Sequence, residues 1–434
     1  MSNISKSLLA VLLLCFSSIS FAQNTNSPYS RYGYGVLTDQ GAGISRSMGG
    51  LSYGLRKSAN INPGNPASYS KIDSLTFIFD FGVSYSKTKL SDNSGSQTDD
   101  NGGLGYITMM MPLSKKIGIS FGILPFSSVG YQFGNIETIN GVDVKREFNG
   151  SGGLSQIYGG LAYEPFKGIS IGANVSYLFG SLDNTRSVPA FGENYTNSLY
   201  IVTESKISTV KFDIGAQYEM PVMNNKLLTI GAVYTPAINS KSRFIKGVYT
   251  YNSSGSVTTA RVDTTHNVNS GMPASYGLGF TLANRHNWLV GADVTFQEWS
   301  KIKYENLGND NLDDIERFKD RWKVSAGFEY VANPMDRSYF KRIKFRGGAN
   351  YSNSYLNVKT NEGSIGGYKQ YGVTLGFGLP FRDMNFTGRT SYININFEYR
   401  HLAPEISNMV KEQYFGVSLG VNINDLWFVK NKFR

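Results

Sequence analysis

Four serines, Ser52, Ser120, Ser170 and Ser418, stand in Gly-x-Ser-x-Gly pentapeptides: "GLSYG" at 50–54, "GISFG" at 118–122, "GISIG" at 168–172 and "GVSLG" at 416–420. In a serine hydrolase this pattern puts a nucleophilic hydroxyl on a strand-to-helix elbow with a histidine in reach. Neither condition is met. Three of the four matches lie in strand-like segments, where period 2 turns Gly, Ser and Gly to one face together. The three histidines, His266, His286 and His401, are scattered along the chain. The serines read as small residues on a strand face, and no enzymatic role is expected. The single cysteine, Cys15, falls in an apolar leader, and no histidine pair has metal-ligand spacing. Thiolate metal sites, thiol catalysis and disulfides are therefore not expected, nor is any cofactor. A second polar set, Asp293, Gln297, Asn394, Asn396, Glu398 and Arg400, falls on one face of its strands. Charges on an enclosed face persist when paired, so this set reads as a structural network lining a lumen.

The elements that must carry these residues follow from the pattern of the whole chain. Residues 1–22 read as a signal peptide: Lys6, then the short apolar run "LLAVLLLCF", then small residues at Ser20 and Ala22, which predict cleavage after Ala22. Leu14 is bulky where a lipidation signal wants a small residue, which argues against a lipoprotein. After the leader no apolar run is long enough for a membrane helix. The composition is rich in glycine (48), tyrosine (28) and phenylalanine (27), with a mean hydropathy of only -0.24.

Strict alternation recurs instead. In "YININFEYR" (392–400), Ile393, Ile395, Phe397 and Tyr399 oppose Asn394, Asn396, Glu398 and Arg400. "ISIGANVSYLF" (169–179) and "YFGVSLGVNI" (414–423) behave alike. Such segments predict strands near 75–87, 103–111, 117–131, 155–163, 169–179, 204–218, 226–248, 274–283, 288–299, 321–331, 342–352, 367–379, 390–402 and 411–423, with residues 239–262 able to form a hairpin beyond the membrane. Long polar connections (88–101 and near 180–203, 249–273 and 300–320) alternate with short ones (112–116, 164–168, 220–225, 283–287). Outer-membrane barrels sort long external loops from short periplasmic turns in this way. The fold expected is all-β: a transmembrane antiparallel β-barrel of about 14 strands over 75–434, in the outer membrane, with both chain ends periplasmic. Backbone groups in hydrocarbon need partners, which closes the sheet. Trp288, Trp299, Trp322, Tyr330 and Tyr399 fit interfacial girdles. The net charge of +10 suits anionic lipid or an acidic partner face, and nucleic acid is not an expected partner.

One segment fits neither strand nor loop. "SMGGLSYGLRKSANINPGNPASY", residues 47–69, is dense in Gly, Asn and Pro and precedes the first strand. Residues 23–74 are too few for a large plug, but they suffice for a small hatch inside the bore, with glycines for tight turns and "NPGNPA" to force them. This stretch resembles the FadL family of outer-membrane transporters for long-chain fatty acids and other hydrophobic compounds, whose hatch carries a similar "MGG…A…NPA" segment; here it is Met48, Gly49, Gly50, Ala59, Asn65, Pro66 and Ala67. The similarity continues in "MPASYGLGFTL…NWLVGADVTFQEWSKI", through Pro273, Ala274, Ser275, Asp293, Trp299 and Ser300, and in "RWKVSAGFEY". The Asn-, Lys- and Tyr-rich composition resembles such barrels of Bacteroidetes.

The resemblance implies passive uptake of a hydrophobic ligand such as a fatty acid, with sideways exit into membrane lipid. Pro125, Phe126 and Gly130 mark the expected lateral opening, since proline removes a ladder donor. The family often has Pro-Phe-Gly where this chain has Pro125-Phe126-Ser127, the chain ends Phe433-Arg434, and the hatch carries Arg56, Lys57 and Asn60. The alternative is an accessory barrel with protein partners in an outer-membrane export or assembly complex. The polar hatch and the loops, none strongly apolar, suit that alternative as well as uptake.

Overall fold

The protein is described by a computed structural model covering residues 25–426, apart from 94, 140–141, 190–196, 224, 253, 285–286, 306–315, 360–363 and 383–388. The leader with its cleavage point, and the Phe433-Arg434 end, lie outside the described residues. One sheet of eighteen strands dominates, and fourteen of them close an antiparallel barrel. In chain order the wall is β2 (Thr76–Ser91), β3 (Ser96–Pro112), β4 (Ile117–Ser128), β6 (Val142–Phe166), β7 (Ile169–Val188), β8 (Asn197–Met223) and β9 (Lys226–Thr235). It continues with β12 (Ser275–Asn284), β13 (Trp288–Gln297), β15 (Arg321–Val331), β16 (Lys344–Asn353), β19 (Tyr368–Arg382), β20 (Thr390–Pro404) and β21 (Lys411–Leu426). Closure comes from β2 against β21, in register from Thr76↔Leu426 to Ser91↔Lys411.

Alternation sets the two faces of the wall. Along β7, Ile169, Ile171, Val175 and Tyr177 are 41% to 52% exposed, whereas Ser170, Asn174 and Ser176 are buried. The apolar face points outward and the small polar face inward, as a lipid-embedded barrel requires. One rim holds the short turns and the end of β21, and is called the turn end below. The other, the hairpin end, holds the long connections.

The hairpin end differs from the sequence reading. Segments expected as loops at 88–101 and 180–203 are largely strand, because β2, β3, β7 and β8 run on past the membrane-length part. Polar residues there still pair their backbones with neighbours, so the ladder has no reason to stop. The segment expected as one strand over 226–248 is two: β9 ends at Thr235, and β10 (Lys241–Asn252) begins a separate hairpin with β11 (Val257–Asn269). That hairpin adds to the far end of β8, from Ser242↔Ile207 to Asn252↔Asn197. β5 (Tyr131–Ile139) pairs likewise on the extended part of β6. A separate three-stranded sheet, β14 (Glu316–Phe318), β17 (Leu356–Lys359) and β18 (Ile365–Gly366), lies in the loops.

Inside the wall runs the segment before β2. It holds 3-10 turns at Pro28–Arg31, Gly43–Met48 and Pro66–Lys71, and the short β1 (Val36–Leu37). Its first described residues sit at the hairpin end: Ser27 Oγ donates to Glu412 (2.5 Å) and Tyr29 Oη to the Val410 carbonyl (2.6 Å). β2 starts, and β21 finishes, at the turn end. Residues 25–31 therefore lie at the rim opposite the start of β2.

Candidate functional site

The residues singled out in the sequence converge on the contact between this inner segment and the wall. Met48 is fully buried. Gly49 caps its 3-10 turn in the left-handed region at φ +67. Its N–H donates to Thr374 Oγ1 (2.9 Å), and its carbonyl accepts from Asn350 Nδ2 (3.2 Å). The Gly50 carbonyl accepts from Ser52 Oγ (3.0 Å). Asn65 caps the turn that Pro66 begins: its Oδ1 accepts from the Ala67 N–H (3.1 Å), and its Nδ2 donates to the Tyr53 carbonyl (2.7 Å). The Ala67 carbonyl accepts from Ser170 Oγ (3.0 Å). The hydrolase-like serine at position 170 is thus an attachment point for the inner segment. Asp293 serves in the same way, accepting from the backbone N–H groups of Ser52 (2.5 Å) and Tyr53 (2.8 Å).

Glycines of the wall allow this approach. A Cβ at Gly231 would collide with the Tyr53 carbonyl oxygen, one at Gly118 with that of Tyr69, one at Gly327 with that of Met48, and one at Gly348 with Gly49 N. Here inner-segment backbone touches wall backbone, and no side chain larger than hydrogen fits between them.

Ion pairs, which the sequence reading did not assign, complete the attachment. Arg56 pairs with Glu164 (2.8 Å), Lys57 with Glu329 (2.5 Å) and Lys71 with Glu219 (2.5 Å). Glu329 also accepts from Arg346 Nε (2.7 Å), whose Nη1 donates to Asn394 (2.7 Å). Burial pushes Arg56 and Lys57 below their ordinary values, and their carboxylate partners oppose that shift. The alternation of Glu329 and Arg346 to the inner face was readable in the sequence. The identity of their partner, on a segment whose sequence has no regular period, was not.

The remaining lumen residues line two cavities of about 150 and 160 Å3, separated by residues 37–41 of the inner segment. Glu398 and Arg400 pair at 3.0 Å and face the first cavity with Asn396, Arg321 and Glu412. Asn396 donates to Ser418 (3.1 Å). Gln297 faces the second cavity and accepts from Trp299 Nε1 (3.1 Å). Between the cavities Asp39 pairs with Lys323 at 2.5 Å. Burial works to raise the Asp39 carboxyl, but the Lys323 charge and hydrogen bond outweigh it and hold the carboxyl below the usual range.

Pro125 and Phe126 mark a break in the wall. The β3–β4 ladder stops at Ile107↔Ile123, although β3 continues along β2 to Ser96. At a bulge between Pro125 and Ser127, β4 bends inward. There Ser127 and Ser128 pair with β1, and the Phe126 carbonyl accepts from the Thr38 N–H (2.9 Å). Gly130 exchanges two 3.0 Å hydrogen bonds with Ser30. A polar slot lies nearby, with Gln97 and Asp99 on one side and Tyr131 and Gln132 on the other.

At the hairpin end the bore is capped by an apolar cluster that includes Tyr34, Tyr131, Leu154, Leu178, Trp299 and Tyr355. Trp299, expected at a membrane interface, is 1% exposed, with its ring 4.5 Å from Tyr355 and 5.8 Å from Tyr34. The chain turns inward after β13 and carries it over the bore. Trp322 and Tyr330 do face outward.

Comparison with solved structures places this architecture. The Pseudomonas putida toluene transporter TodX is 17% identical with a TM-score of 0.60, over 91% of this chain and 100% of its own. A Pseudomonas aeruginosa FadL homologue is 16% identical with a TM-score of 0.59, over 90% and 99%. The Ralstonia pickettii toluene transporter TbuX is 14% identical with a TM-score of 0.54, over 91% and 98%. At these identities the likeness speaks for the fold: an outer-membrane barrel of FadL-like architecture. No curated protein matches the chain. The family model described as BamG matches residues 4–434, and the chain belongs to the BamG family.

Proposed function

We propose that this protein is an accessory barrel of an outer-membrane protein assembly or export complex, whose inner segment acts as a permanently seated hatch. The observation that carries the reading is the direct backbone contact at Gly118, Gly231, Gly327 and Gly348. A hatch that opens and closes must leave the wall and return; one whose carbonyls rest on wall glycines, with Arg56, Lys57 and Lys71 ion-paired across the contact, is built to stay. Breaking a buried pair by losing one partner costs about 3–5 kcal/mol. Among the described residues, the two cavities inside the bore, of about 150 and 160 Å3, lie below the roughly 300–1,000 Å3 common for ligand sites, and the larger space beside the break, of about 470 Å3, is lined by polar side chains. The family model that matches the chain, described as BamG, points the same way.

A second reading, passive uptake of a hydrophobic compound, draws on the break at Pro125 and on the apolar side of the second cavity, where Phe126, Met272 and Trp299 lie. An apolar solute leaving sideways would avoid re-entering water, at roughly 25 cal/mol per Å2 of apolar surface. The charged lining of the first cavity and the polar slot beside the break count against it.

The two readings separate on purification from native membranes in mild detergent. Stoichiometric recovery with other outer-membrane proteins supports the accessory role. A lone barrel carrying a hydrophobic compound rejects it in favour of uptake.

A further inference from the structure

The turn end presents one surface unlike its neighbours. Most turns there are short, but the connection from β15 to β16, residues 332–343, is longer and carries a one-turn helix, α1 (Tyr339–Arg342). It is ordered by its own hydrogen bonds. The Asn333 N–H donates to the Lys341 carbonyl (2.9 Å), Asn333 Oδ1 accepts from the Met335 N–H (3.1 Å), and Asp336 Oδ1 accepts from the Ser338 N–H (2.9 Å). Lys341 and Asp336 pair at 3.1 Å. This ordered turn nevertheless leaves its largest apolar side chains in solvent: Met335 is 91% exposed and Phe340 78%. Tyr339 packs edge-on against Phe340 and lies under the Arg342 guanidinium, 5.5 Å from its ring.

The charge is one-sided. From Ala332 to Ile343 the sequence holds Arg337, Lys341 and Arg342 against Asp336 alone. Asp336 is already paired with Lys341, which leaves the charges of Arg337 and Arg342 unmatched by an acidic residue of the turn itself.

We infer that this turn is a docking knob for the acidic face of a periplasmic protein domain. Met335 and Phe340 are the anchors, and Arg337 and Arg342 supply the complementary charge. Interface energy concentrates in a few aromatic and arginine anchors, and holding them ready before binding removes part of the ordering cost. Short turns of outer-membrane barrels face the periplasm, which fixes the compartment. The inference rests on the accessory-subunit reading and adds the surface and the partner's chemistry.

The test places a photoreactive phenylalanine analogue at position 340 of the full chain in its native host, with the exposed Phe166, the last residue of β6 beside another turn, as control. Adducts are mapped by mass spectrometry. The complex is also purified from a strain carrying Arg337→Glu together with Arg342→Glu. The inference expects a protein adduct at position 340, not at 166, whose cross-linked peptide is rich in Asp and Glu. It also expects at least a tenfold loss of complex in the double variant, with the barrel still heat-modifiable. Adducts confined to phospholipid, a cross-linked peptide without acidic excess, or an undiminished complex in the double variant would each overturn it. If the native complex forms but the knob plays no part, only this inference falls; if no complex forms at all, the accessory reading falls with it.

Discussion

The two halves of the bore are filled by one continuous segment in two different ways. Toward the turn end, residues 43–71 meet the wall backbone to backbone, through glycines, buried ion pairs and directed hydrogen bonds. Toward the hairpin end, residues 29–37 join an aromatic and aliphatic cluster around Trp299 and Tyr34, tied to the wall by the pairing of β1 with β4 and by bonds such as Tyr34 Oη to the Gly271 carbonyl (2.9 Å). Non-directional apolar packing tolerates exchange of similar shapes, whereas a backbone contact tolerates no added atom. The difference teaches that tightness at the turn end comes from what the wall omits.

The largest expected effect follows from adding a side chain there. Gly231→Val should unseat the segment. A cysteine at Ser47, fully buried in the native protein, should then react with a bulky aqueous thiol reagent at least tenfold faster. Unchanged shielding would mean that the glycine contacts do not hold the segment. Next in size, Glu329→Ala strands Lys57 and Arg346 and should cost about 3–5 kcal/mol in detergent unfolding. Equal loss in a barrel already carrying Gly231→Val would show that the pair does not act through the inner segment.

The hairpin end should be milder. Trp299→Phe keeps an aromatic in the cluster but loses part of the indole volume and the bond to Gln297, and should cost about 1–2 kcal/mol; a loss matching that of Glu329→Ala would erase the contrast between the halves. The smallest effect concerns Asp39, whose carboxyl lies below its ordinary 3.8. Its pairing with Lys323 stabilises the fold above about pH 4 and is lost as pH falls through the lower, folded value. A native-minus-Lys323→Gln stability difference should therefore shrink only on acidification below about pH 4; a difference independent of pH would refute the assignment.

Much of the wall was legible because a lipid-facing strand has only one pattern available: Ile393, Ile395 and Phe397 out, Asn394 and Asn396 in. The extended hairpins were not legible, since polar residues above the membrane carry no apolar period even when paired. Trp299 was misjudged for a related reason. Its sequence context is a strand end, and its burial depends on Tyr34 and Tyr355, brought over it by distant parts of the chain. For the inner segment, the sequence marked Gly49, Asn65 and Pro66 as turn formers, and each is one. It could not say that Gly231 or Gly118 face that segment's carbonyls, because a glycine records the absence of a side chain and not the neighbour that requires it. The fatty-acid expectation came from the resemblance and from no residue pattern of the wall or the inner segment.

The central claim is that the bore stays closed around a seated segment and that the barrel serves a complex. Uptake of a labelled long-chain fatty acid and of a labelled monoaromatic hydrocarbon, in a strain lacking other routes, tests it most directly. The account predicts uptake by the native protein no greater than in cells without it. Saturable uptake that Pro125→Val slows would contradict the account and restore a lateral path through the wall.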